Sequence, residues 1–208
     1  MMSIQEDRPR SKELRIDAIN FKGGGRLGLT FCPGKKQPHS MTGGWCRNLD
    51  VDLDAIKDAG YESVVTLMEE HEFVTYQVTG LRDGVERRNM IWRHLPIKDE
   101  GVPDEYFEAQ WPSFATFLHD ELSVGKAVVL HCKGGLGRTG LVAARFLIDV
   151  CGLQPNEAIN LVRMTRSPHA IDRGQQENYV CCQKPGALSS IQGSSLCLDE
   201  YGSLPESF

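Results

Sequence analysis

Val128 to Gly140 reads VVLHCKGGLGRTG, and in it Cys132 and Arg138 are separated by five residues, three of them glycine: Gly134, Gly135 and Gly137. An apolar run ends in His131-Cys132, crosses the glycine-rich segment and meets Arg138-Thr139. That is the order of a strand, an anion-binding loop and a helix start. Glycine tolerates positive φ, so the loop can curl and turn successive N–H groups inward. Such a ring of donors at a helix N-terminus suits a dianion such as phosphate. Lys133, Gly134, Gly135, Leu136, Gly137 and Arg138 then form a phosphate cradle, with Lys133 on its rim. The inward dipoles and the Arg138 charge favour thiolate over thiol at Cys132, which makes that sulfur a nucleophile facing phosphorus. The planar guanidinium can hold two equatorial oxygens at once. A buried strand-end cysteine followed by a glycine turn is the plainer reading, and it leaves the arginine and the hydroxyl unexplained.

Breaking a phosphate monoester also needs a proton for the leaving oxygen, and a positioned acid contributes about 10²–10⁴-fold. The proline-bounded loop Pro96 to Pro103, PIKDEGVP, carries Asp99 and Glu100, with Asp104 just beyond. Asp99 is the expected acid. Asp104 stands where a helix should begin, so capping is its expected task, and it is the alternative acid. His131 is expected to fix the loop through hydrogen bonds without moving protons, which a buried structural histidine would also do.

The string HCKGGLGRTG resembles the signature loop of cysteine-dependent protein phosphatases. Within the dual-specificity branch it is most similar to the kinase-associated phosphatase family and to the mitotic-exit phosphatases, over about Gly28 to Val180. The resemblance implies hydrolysis of phosphotyrosine and phosphoserine or phosphothreonine through a phosphocysteine intermediate, with no cofactor and no metal. It supports Asp99 as the acid, because PIKDEGVPD resembles the acid loop of that family. It also gives Thr139 the task of donating a hydrogen bond to the Cys132 sulfur, and Gln176 that of orienting the hydrolytic water, with Gln175 adjacent. The implied partner is a phosphorylated protein, a kinase in the family it resembles. Leu136 stands where lipid phosphatases of this type carry a second lysine, which lowers the case for an inositol head group. A phosphate-recognising module without turnover, a phosphatase of a non-protein ester and a thiol enzyme of sulfur or arsenate transfer stay open as alternatives.

The 208 residues suit one domain, and 23 basic against 28 acidic side chains give a net charge of −5. That balance excludes binding to nucleic acid or anionic membranes by bulk charge, so any anion site must be local. Seven cysteines form no CxxC pair, and Cys32, His39 and Cys46 match no common zinc spacing. With no apolar run of about 18 residues and no apolar leader at the start, the chain reads as a cytoplasmic monomer.

The elements that must position the site follow from pattern. Residues 1–22 read as a flexible arm ended by Gly23 to Gly25, 23–184 as the phosphatase domain, and 185–208 as a flexible tail. Arg26 to Phe31 is a strand. The stretch to about Arg47 is an exposed loop with Lys35, Lys36 and His39 solvated. Asp50 or Asp52 caps a helix through Leu53, Ile56 and Ala59, ended by Gly60. A strand follows at Ser63 to Leu67. Glu69 to Val78 and a polar link with Arg82, Arg87 and Arg88 lead to a strand at Met90 to Leu95. Phe107, Trp111, Phe114, Leu118 and Leu122 recur at helical spacing as one core stripe, with a kink at Pro112. Lys126 to His131 is the central strand, Arg138 to Cys151 a buried helix, and further helices start at Pro155 and Arg173. The predicted fold is an α/β single domain, a mostly parallel central sheet flanked by helices.

Overall fold

The computed structural model describes residues 13–39, 44–188 and 196–199. In chain order the elements are β1 (Asp17–Asn20), β2 (Arg26–Phe31), β3 (Lys36–Gln37), β4 (Trp45–Cys46), α1 (Leu49–Asp58), β5 (Ser63–Thr66) and α2 (Glu70–Thr75). They continue with α3 (Leu81–Glu86), β6 (Ile91–His94), α4 (Glu105–Ser123), β7 (Ala127–Cys132), α5 (Gly137–Asp149), α6 (Pro155–Thr165) and α7 (Gln175–Cys181). Five strands form one sheet in the order β1-β2-β7-β5-β6, parallel except for β1. The predicted α/β architecture is the observed one. Every residue of β7 is buried, as a central parallel strand covered on both faces must be.

One face of the sheet carries Leu27, Leu29, Val128 and Leu130 against α4 and α5, and the apolar stripe Phe107, Trp111, Phe114, Leu118 and Leu122 is buried there. From Arg138 to Asp149 every residue of α5 is buried, including charged ones. Those charges are paired. Arg145 bonds Asp149 and Glu108, Asp149 Oδ2 also accepts from Trp111 Nε1 at 2.8 Å, and Tyr179 joins the cluster. Such pairing is what makes buried ions tolerable in a core helix.

The structure moves several predicted boundaries. The arm drawn over 1–22 contains β1, and Leu14, Ile19 and Phe21 are buried; residues 1–12 lie outside the described residues. Ile19 and Phe21, two apart, fall on one face of an extended chain, the signal that a polar count hides. Gly23 to Gly25 is therefore the turn of the β1–β2 hairpin, with Gly23 at φ +90° and Gly24 at +94°. At the other end, Leu196 is buried and Leu198 pairs with Phe21, so this part of the predicted tail belongs to the core. The cap of α1 is Asn48, whose side chain accepts from the Val51 N–H. Asp52 is instead buried in a salt bridge with Arg47 and accepts from the Gly34 N–H. The stretch from Cys32 to Lys35, predicted to be exposed, is buried. Glu69 to Glu86, read as a polar stretch and link, holds α2 and α3.

Candidate active site

β7 delivers Cys132 at its C-terminal end, and α5 starts at Gly137, one residue before the predicted Arg138. Between them the loop is curled by carbonyls held on its outside. The Lys133 carbonyl accepts from Cys32 N–H at 3.4 Å and Lys35 Nζ at 3.3 Å, that of Gly135 from Arg166 Nε at 2.9 Å, and that of Leu136 from the Gly140 N–H at 2.9 Å. With carbonyls anchored outward, N–H groups are left for the interior. One of them, Gly135 N–H, donates to Cys132 Sγ at 3.2 Å, and Cys132 is only 3% exposed.

Two of the three loop glycines are required, for different reasons. Gly135 sits at φ +66°, and a Cβ there would lie 2.3 Å from the Thr30 carbonyl. Gly137 has ordinary φ, but its Cβ would meet Asp172 Oδ2 at 2.3 Å and Gln176 Oε1 at 2.9 Å. Gly134 has neither a left-handed φ nor a neighbour, so the expectation of positive φ through the loop holds for Gly135 alone.

Arg138 is 2% exposed and held on several sides. Its Nη1 donates to Glu72 Oε2 at 2.6 Å and the Ile97 carbonyl at 3.0 Å, and its Nη2 to Glu72 Oε1 at 2.9 Å. Burial works against the charged form, but the Glu72 bonds and the neighbouring Cys132 and Asp99 outweigh it and hold the guanidinium above its ordinary pKa. Sequence reasoning missed Glu72. Its signal was the spacing Glu69-x-x-Glu72, for the two form the capping box that opens α2.

Asp99 lies in this cluster, with Oδ1 2.9 Å from Arg138 Nη2 and Oδ2 bonded to Lys133 Nζ. Burial would raise the carboxyl's pKa, yet the Lys133 bond and the Arg138 charge prevail and hold it below the usual carboxylate range. The same contact raises Lys133 against the opposing effect of burial. Asp104 caps α4 through the Phe107 N–H at 2.9 Å, as the sequence implied. His131 is fully buried, bonds Thr66 Oγ1 through Nε2 at 2.8 Å, and is pushed down to about 3 by burial, so it is neutral. That suits a loop-fixing residue and not a proton carrier. Thr139 Oγ1 is buried and has no hydrogen-bond partner among the described residues, so the predicted bond to Cys132 is not formed.

Gln176 is 1% exposed, whereas Gln175 is exposed. Its Nε2 donates to the Gly101 carbonyl at 2.9 Å and its Oε1 accepts from the Asp172 N–H at 3.1 Å. The side chain thus ties the loop of Asp99 and Gly101 to the segment before α7. Asp172, which the sequence did not single out, faces Gly137, and its pKa is raised by burial and by the nearby charges of Glu100 and Asp99. The arrangement brings the Cys132 sulfur, the Gly135 N–H bonded to it, a fixed guanidinium and the Asp99 carboxyl group together. That set can bind a phosphoryl group and transfer it.

Known proteins are similar to this chain over most of its length. A family model described as "Polymorphic toxin system, DSP-PTPase phosphatase" matches residues 41–151. Cyclin-dependent kinase inhibitor 3 of Rattus norvegicus is 32% identical over 158 residues, which cover 74% of this chain and 69% of the relative. The Homo sapiens protein of the same name is 32% identical over 155 residues, with the same coverage. Among solved structures, kinase associated phosphatase with its catalytic-site cysteine replaced by serine superposes with a TM-score of 0.72 at 28% identity, over 82% of this chain and 93% of that one. The active form of Tk-PTP does so at 0.58 and 26% identity, over 80% and 92%. With the fold, the loop and these relatives in agreement, the chain belongs to the cysteine-dependent dual-specificity phosphatases and is a phosphoprotein phosphatase.

Proposed function

We propose that Cys132 attacks phosphorus in line, forming a phosphocysteine while the leaving oxygen takes a proton from Asp99. Arg138 and the N–H groups from Lys133 to Arg138 hold the equatorial oxygens, where charge accumulates in the transition state. The observation that carries this reading is the ion-paired cluster of Arg138, Lys133 and Asp99 beside Cys132 at a curled loop. An arriving phosphate dianion competes for Arg138 and Lys133 and repels Asp99. Both effects raise the carboxyl's pKa and load it with the proton the leaving group needs. Water then attacks the phosphocysteine, Asp99 accepts its proton, and the sulfur departs as thiolate. Thr139, whose buried hydroxyl has no partner at rest, is the donor for that departing sulfur. Gln176 keeps the acid loop in register.

Phosphotyrosine and phosphothreonine or phosphoserine in proteins are the substrates, and a kinase is among them, in keeping with the names of the relatives. The phosphatase domain functions as a monomer without a cofactor. Among the described residues no helix is long and apolar enough to cross a membrane, and Cys32, Cys46, Cys132, Cys151, Cys181 and Cys182 are free thiols, in keeping with a reducing, cytoplasmic setting. The test is Cys132→Ser, in which turnover of phosphopeptides is lost and phosphopeptide binding persists, with phosphorus label trapped on Cys132 of the wild type. Turnover by the serine variant at the wild-type rate refutes the covalent route.

A further inference from the structure

A cavity of about 630 Å³ adjoins the phosphate loop, bordered by Gly134 and Leu136 of the loop itself. Four cations line it: Arg15, Lys35, Arg163 and Arg166. Two are committed to structure. Arg166 pairs with Asp17 at 2.6 Å and supports the Gly135 carbonyl, and Arg163 pairs with Glu177 at 2.8 Å. Arg15 stands on the rim, its side chain 68% exposed, with Nε 2.9 Å from the same Asp17. Lys35 is the exception. It is 4% exposed, with Nζ 4.3 Å from the Trp45 ring centre and 3.3 Å from the Lys133 carbonyl. Among the described residues it has no carboxylate within salt-bridge distance.

Four cations against Asp17 and Glu177 leave the cavity positively charged. Taking an ammonium out of water with no carboxylate beside it is costly, and burial lowers the pKa of Lys35 against the opposing influence of Cys32 and Cys132. An anion admitted to the cavity would supply the missing charge. Phe31 and Trp45 on the wall can cover the apolar stem of a side chain that carries it. Because Gly134 and Leu136 belong to both the cavity and the cradle, such an anion lies close to the phosphate being transferred.

We propose that this cavity is a second anion subsite, which seats a carboxylate or a second phosphate on a residue neighbouring the scissile phosphoresidue of the substrate. The inference rests on the phosphatase reading above and narrows its substrates to acidic or multiply phosphorylated segments. Lys35 is the charge at its base and Arg15 the charge at its rim.

Three peptides with one common phosphoresidue test it, flanked by neutral residues, by glutamate or by phosphoserine, with a small aryl phosphate as control. The wild type is expected to favour one or both anionic peptides over the neutral one by about tenfold in kcat/KM, the scale of one hydrogen bond to a charged group. A preference for the phosphoserine peptide alone assigns the subsite to phosphate, and a shared preference assigns it to either anion. Arg15→Glu, at an exposed site where folding is not at stake, is expected to remove most of that preference and to leave the aryl phosphate unchanged, while Lys35→Met, which keeps the stem over Trp45 but gives up the bond to the Lys133 carbonyl, is expected to lose the anionic peptides by a larger factor than the aryl phosphate. Equal turnover of all three peptides by the wild type overturns the proposal. So does a loss in Lys35→Met that is as large for the aryl phosphate as for the peptides, since Lys35 would then serve the Cys132 loop alone. If no phosphoester is turned over, the phosphatase reading fails separately. Equilibrium binding then decides the subsite: tighter binding of the anionic peptides that Arg15→Glu abolishes supports it, and equal binding of all three overturns it.

Discussion

Replacing Glu72 by glutamine keeps the shape of the side chain beneath Arg138 and removes its charge. The structure sets the size of the effect. Glu72 and Arg138 are 3% and 2% exposed and share two hydrogen bonds, at 2.6 and 2.9 Å. Each bond to a charged group contributes about 1.5–3 kcal/mol, and removing one member of a buried pair costs about 3–5 kcal/mol. Asp99 Oδ1 and the Ile97 carbonyl remain on the guanidinium and offset part of this, and the amide oxygen can still accept one bond. The expected loss is therefore about 3 kcal/mol, a large fraction of the 5–15 kcal/mol typical of a domain. It is read as a shift of the urea midpoint at unchanged slope. Activity should fall further than folding does, because the guanidinium proposed to hold the equatorial oxygens loses its orientation; a drop of about 10²-fold in kcat/KM on an aryl phosphate is expected. Saturating inorganic phosphate should narrow the stability gap, since a bound dianion supplies the charge that Glu72 no longer does. A stability loss under about 1 kcal/mol together with unchanged kcat/KM would refute the claim that this pair positions Arg138.

Arg138→Lys keeps the charge and loses the fork, so kcat/KM should fall well beyond tenfold, and a milder loss would remove Arg138 from the transition state. Asp99→Ala should lower kcat strongly for alkyl phosphates and little for a nitrophenyl ester, and should abolish the falling high-pH limb of the rate profile. In the wild type that limb should sit at higher pH in kcat than in kcat/KM, because Lys133 and Arg138 hold Asp99 ionised in the free site while bound phosphate repels it. Asp104→Ala should cost only about 1 kcal/mol and leave the limb in place, as expected of a helix cap. Gly135→Ala forces a Cβ to within 2.3 Å of the Thr30 carbonyl at φ +66°, so it should abolish phosphate binding even where circular dichroism still reports a folded chain.

What the sequence determined by itself is what short-range pattern can encode. The run from Val128 to Gly140 carries its strand, loop and helix within thirteen residues, so that order, with Cys132 and Arg138 at either side of the glycine loop, was legible without any distant contact. The stripe from Phe107 to Leu122 named a core helix, and Asp104 its cap, for the same reason. Only tertiary structure decided which remote groups reach that loop. Glu72 lies on a short helix of six residues that periodicity cannot separate from a polar stretch, and it matters because the chain folds it beneath Arg138, 66 residues away. Lys35 reads as one of two adjacent solvated lysines until its neighbours bury it against Trp45 and the Lys133 carbonyl. β1 takes its place by pairing with β2 across a glycine turn, and Leu198 by pairing with Phe21 from the far end of the chain. Burial and the pairing of charges depend on what packs alongside, and no local spacing records that.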